Sequence, residues 1–132
     1  MQSSRNKRQR RGLAAVEMAL VLPVFLLLLM GIMDVSRLYW TQGVVRDAAF
    51  EGARTAILHE PTTLQVETAV VEKLAAGGVG REPAITVGAR EPDQPVDVTV
   101  SVPFEFYVLG SIIPSLDGNK PVSATAVMTH ER

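Results

Sequence analysis

From Leu13 to Met33 the chain runs 21 residues without Lys, Arg, Asp, His, Asn or Gln, and Glu17 is the one charged group in that stretch. At about 1.5 Å per helical residue the run reaches roughly 31 Å, the thickness of a bilayer core. This reads as a transmembrane helix, and it constrains everything that follows. The 132 residues leave room for that one segment and one small domain. An ionisable side chain inside a span costs on the order of a few kcal/mol, so Glu17 argues for a partner and therefore for a function.

Charge divides the chain at the same place. Arg5, Lys7, Arg8, Arg10 and Arg11 precede any acid, so residues 1–12 carry +5 and residues 13–132 carry −6. A polybasic stretch directly before a span marks the cytoplasmic side, which places the N-terminus in the cytoplasm and Asp34 to Arg132 on the far side of the membrane. The leader has no aromatic interleaving and no folded basic face, so no nucleic-acid partner is expected. Cysteine is absent, which removes disulfides, thiol chemistry and Cys-ligated metals. His59 and His130 belong to no metal-binding or triad pattern. Asp93, Asp97 and Asp117 lack the spacing of a calcium loop and read as solvated turn carboxylates. Gly77-Gly78-Val79-Gly80 follows a helix and lacks the lysine of a phosphate loop. Neither an enzyme activity nor a cofactor nor a small-molecule substrate is expected.

The apolar run passes into an amphipathic pattern, with Val35, Leu38, Tyr39, Gln42, Val45, Ala49, Ala53 and Ile57 at steps of three or four. One helix is therefore expected from about Leu13 to about Leu58, the span occupying 13–33 and its amphipathic continuation 34–58. Arg37, Tyr39 and Trp40 fall just beyond the span, where amphipathic rings and a snorkelling guanidinium suit the headgroup layer. Pro23 removes one backbone donor and is a candidate kink. His59-Glu60-Pro61 stops the helix. Residues 59–132 read as a small α+β extracytoplasmic domain. Thr62 to Gln65 forms a capping box, and Leu64, Val66, Ala69, Val70, Val71, Leu74 and Ala75 give a second helix closed by Gly77-Gly78. Ala84–Val87 and Val96–Val102 form a hairpin around Pro92 to Pro95, with Val96, Val98, Val100 and Val102 on one face. Pro103 to Leu116 reads as a loop or short helical turn, Asp117-Gly118-Asn119 as a turn, and Val122–Met128 as a last strand. The fold class is α+β: a long helix, a short helix and a small antiparallel sheet.

The junction at the start of the span has the logic of a processing site. A membrane peptidase at the cytoplasmic face can approach the backbone closely at Gly12, and cutting there makes Leu13 the new N-terminus and Glu17 its fifth residue. The new α-amino group stands one helical turn from a carboxylate, so a neighbouring subunit's ammonium can neutralise Glu17 within the membrane. Gly12-Leu13-Ala14-Ala15-Val16-Glu17 before a long apolar helix resembles the type IV prepilin signature. The longer run Arg11 to Pro23, with Gly31 to Tyr39, Asp47 to Arg54 and the C-terminal Val122 to Met128, is similar to the TadE-like pseudopilins of the tight-adherence pilus system. Met18 departs from that pattern, standing where many such prepilins carry an aromatic residue. The resemblance implies a pilin-like fold and a minor subunit that assists assembly of a Flp-type pilus used in adhesion and biofilm formation. It implies three partners: a prepilin peptidase, other pilin-like subunits and the inner membrane.

Two plainer readings compete. A secretory signal peptide has a shorter apolar core and a small-x-small site, which is missing after Met30 to Asp34. An uncleaved single-span anchor, serving as an envelope scaffold or binding module, shows the same hydropathy. Glu51 and Arg54 read as an i, i+3 surface pair.

Overall fold

The computed structural model describes residues 3–58, 62–89 and 94–129, with side chains from Gly12 onward. The His59-Glu60-Pro61 stop, Asp93 and the first half of the hairpin turn, the tail from His130 and the side chains of the leader's cations lie outside the described residues.

Helix α1 spans Ser3–Ala56, 54 residues, and passes Pro23 without a break. It starts about ten residues earlier than the sequence pattern suggests. The leader is rich in Arg, Lys and Gln, all good helix formers, and a single glycine costs only about 1 kcal/mol, too little to stop a helix already propagating. Among the described residues, α1 is the one helix long and apolar enough to cross a membrane, with a mean hydropathy of 2.6 over its most apolar window. Its two halves have different surroundings. Large apolar side chains from Leu13 to Met33 are exposed, whereas Val45, Ala48, Ala49, Gly52, Ala53 and Ala56 are buried. The buried half is a stripe of small residues, which lets the helix axis lie close to whatever packs on it.

Two elements pack there. Helix α2, Thr63–Ala76, begins with the expected reciprocal cap: the Gln65 amide donates to Thr62 Oγ1 at 3.3 Å and the Thr62 amide donates to Gln65 Oε1 at 2.9 Å. Val66, Val70 and Leu74 are buried at four-residue spacing, while Leu64 and Val71, which the pattern places on the same apolar face, are exposed. A single stripe suffices because α2 meets the core along one line, and residues 64 and 71 fall to its flanks. After α2 the chain turns at Gly78, whose φ of 77° suits a residue without a Cβ.

The sheet is antiparallel, in the order β1-β2-β3, from Ala84–Val87, Val96–Phe104 and Lys120–Met128. Along β2, Val96, Val98, Val100, Val102 and Phe104 are buried in strict alternation and close the core over α1, joined from β3 by Val122 and Ala126. The polar face is tied by a hydroxyl pair, Thr99 to Thr125 at 2.8 Å. Strand β2 continues two residues past the Val102 boundary suggested by Pro103. Strand β1 pairs with β2 only as far as Ser101, and Pro103 faces Pro121 of the edge strand β3, so no further strand needs the missing donors. Between β2 and β3 lie a one-turn helix α3, Leu109–Ile112, and a 3-10 turn at Pro114–Leu116. Gly118, at φ 76°, turns the chain into β3. The Glu51–Arg54 pair does not form: the ion pairs among the described residues are Arg37–Asp34 and Arg81–Glu105, and Arg54 lies exposed at the end of α1.

Candidate functional site

Two places on α1 carry the chain's distinctive chemistry, one at each end of the apolar run. At the first, Gly12 lies inside the helix with open space where a Cβ would point, Leu13 is exposed and Glu17 is exposed one turn further on. Leu13 and Glu17 thus share a helix face, an i, i+4 relation that follows from helix geometry alone.

The second place is the neck, where the exposed half of α1 gives way to the packed half. Asp34, the residue after the apolar run, is 2% exposed. Its Oδ2 accepts the amides of Val108 at 2.8 Å and Leu109 at 3.0 Å; its Oδ1 accepts the Tyr107 amide at 3.2 Å and Nη1 of Arg37 at 3.3 Å. Burial pushes the Asp34 pKa up, but the three amides and the Arg37 charge act in the other direction and prevail, so the carboxyl sits below its ordinary value. The carboxylate does for the first turn of α3 what an N-cap does for any helix: it occupies donors that have no partner inside it. Arg37 completes the cluster, its guanidinium 3.9 Å from the centroid of the Tyr107 ring and 5.4 Å from that of Phe104, which meets Phe106 edge to face at 5.0 Å.

The three residues read from the sequence as interfacial anchors have distinct surroundings. Arg37 is held inward by Asp34 and Tyr107. Tyr39 is exposed and lies beside Leu109 along an apolar groove. Trp40 is exposed over most of its ring, but its Nε1 donates to the Gly77 carbonyl at 3.1 Å, occupying an acceptor at the C-terminal end of α2 and tying that end to α1. A cleft beside them is lined by Met33, Arg37, Trp40, Arg81 and Glu105, and its two arginines are each already paired, Arg37 with Asp34 and Arg81 with Glu105 at 3.5 Å. Among the described residues no three His, Asp or Glu side chains converge as metal ligands would.

Sequence reasoning did not find Asp34 or Tyr107. A carboxylate directly after an apolar run looks like the first solvated residue outside a membrane. The one local hint was the i, i+3 spacing of Asp34 and Arg37, since the other partners lie more than seventy residues away.

No curated protein and no solved structure matches this chain. Residues 12–54, a third of the chain, match the family of TadE-like proteins. The matched stretch takes in the junction at Gly12, the apolar run, Asp34, Arg37 and the small-residue stripe of the packed half. From Gly12 to Arg54, the long helix that carries both candidate sites is similar to the TadE-like proteins.

Proposed function

We propose that this protein is a minor pilin-like subunit of a tight-adherence pilus, cleaved after Gly12 by a prepilin peptidase and held in the inner membrane by α1 with its α+β domain outside. The observation that carries this reading is the TadE-like match on a helix whose first half is exposed and apolar and whose second half holds the domain. Cleavage removes the +5 leader and creates an ammonium at Leu13, which a neighbouring subunit presents to Glu17. The pair lies in a low-dielectric setting, so it forms where both charges are matched and penalises a misregistered subunit, a use of buried charge for registry.

The test is the mature N-terminus. Intact mass of the membrane-extracted protein, from cells with and without the peptidase, is expected to show loss of residues 1–12 only when the peptidase is present. Gly12→Val is expected to block the cut, because a β-branched side chain obstructs the backbone approach. An unchanged N-terminus in peptidase-positive cells would sink the reading in favour of an uncleaved single-span scaffold.

A second expectation concerns assembly. Glu17→Ala removes a charge that is costly in the bilayer, so membrane insertion is expected to stay intact while co-purification with partner subunits falls about tenfold or more, the loss of a desolvated charge pair. Assembly equal to the unaltered protein would reduce Glu17 to a solvated residue near the interface.

A further inference from the structure

Asp34 fixes more than the start of α3. By accepting three successive amides it holds residues 107–109 at the level of α1 where the apolar run ends, one residue past Met33. Leu109 reaches further toward the span: its Cδ2 lies 3.5 Å from where a Cβ of Gly31 would stand, and it shares a groove with Val24, Leu27, Leu28 and Ile32. Segment 106–116 contains no charged residue, Glu105 and Asp117 being the first on either side. At this fixed level it leaves Tyr107 61%, Ile112 55% and Ile113 40% exposed. The outward face of the sheet is mainly polar, with Thr99 bonded to Thr125 and Asp97 beside the exposed Val127.

We infer that the 107–113 segment is a second membrane contact, seated in the outer headgroup layer of the bilayer that α1 crosses. The occupant is lipid because Leu109, in the same segment, shares the apolar groove of the span and the segment carries no charge. Its one aromatic ring also lies under the Arg37 guanidinium, a pairing suited to the boundary between acyl chains and water. Two contacts, the helix and the loop, set the tilt and rotation of the domain relative to the membrane, which one helix alone leaves free. The inference rests on α1 being a transmembrane helix.

The absence of native cysteine permits single-site spin labels on the full chain. Labels at Ile112→Cys, Ile113→Cys, Leu27→Cys and Val127→Cys, all exposed positions, are compared in nanodiscs of phosphatidylethanolamine and phosphatidylglycerol holding one copy each. Collision with oxygen, which enters the bilayer, is measured against collision with a nickel chelate, which stays in water. The expected result is an oxygen-to-nickel ratio at 112 and 113 several-fold above that at 127 and below that at 27. If 112 and 113 match 127 while 27 is shielded, the loop contact is wrong and the span stands. If 27 is open to nickel, the span fails and the loop contact fails with it. If nickel reaches 112 and 113 in single-copy discs and is excluded only when two copies share a disc, the patch is a contact between subunits, and the lipid assignment is overturned.

Discussion

Replacing Asp34 by Ala is expected to release the α3 turn, lowering the protection of the Val108 and Leu109 amides against hydrogen exchange about 100-fold. The size follows from the geometry. Hydrogen bonds to a charged acceptor contribute about 1.5–3 kcal/mol each, and the three amides lose them together, although amides that swing into water regain part of the loss. A net change of about 3 kcal/mol remains, or two orders of magnitude in local opening. Arg37 loses its ion-pair partner as well, so its stacking on Tyr107 is expected to loosen. Asp34→Asn should fall between, since an amide oxygen accepts more weakly than a carboxylate and the Asn NH2 confronts donors. Unchanged protection at Val108 and Leu109 in the Ala variant would mean that the neck is held by apolar packing alone.

The same carboxylate gives the fold an acid dependence of defined sign. A folded-state pKa held below the unfolded value means that the unfolded chain binds more protons in acid. The contribution of Asp34 is therefore fully present above the ordinary aspartate value, near pH 4, and is lost as the pH falls from there toward the folded value. The difference in urea midpoint between the unaltered protein and Asp34→Asn is expected to be constant above about pH 5 and to shrink below about pH 4. A difference that grows on acidification would reverse the assignment.

The second large effect is expected at Gly52, where α1 passes between α2 and the sheet. A Cβ there would stand 2.6 Å from Val70 Cγ2 and 3.1 Å from Val98 Cγ1. Neither neighbour yields easily. Val70 is fully buried on a helix, where a β-branched side chain keeps one rotamer, and Val98 is fully buried in the central strand. Gly52→Ala gains about 1 kcal/mol of helix propensity. Overpacking costs about 1–3 kcal/mol, so the net expectation is a loss of up to about 2 kcal/mol in urea unfolding of the micelle-bound protein. Gly52→Leu should abolish the folded domain and leave the membrane segment inserted. Adding Val70→Ala to Gly52→Ala removes the methyl that obstructs the new one, and the pair should be less damaging than the sum of its members by at least about 1 kcal/mol. Strict additivity, or a Gly52→Ala protein more stable than the original, would show that the helices part without cost.

These two residues mark the line between local and tertiary information. The apolar stretch of α1, the capping box of α2, the alternation of β2 and the turn at Gly118 each depend on residues within a few positions of one another, and periodicity or turn chemistry made them legible. Glu17 and the arginine-rich leader stand out in the sequence for a different reason, because a charge beside an apolar run is anomalous wherever it stands. The early start of α1 and the extension of β2 past Pro103 were not legible, because propagation and the limit of β1 decide them. Strand β2 tolerates a proline only where no third strand reaches it. Nothing near Gly52 in the sequence marks it out, and only the approach of Val70 and Val98 leaves no free space for a Cβ there.

By itself the sequence determined that an apolar helix with one carboxylate follows a basic leader and carries a small α+β domain, since composition and period settle which segments avoid water. Only the tertiary structure decided where the domain is fastened to that helix. The carboxylate of Asp34 needs donors that its own helix has already used, and chain folding brings them from residues 107–109, whose amides have no other partner among the described residues.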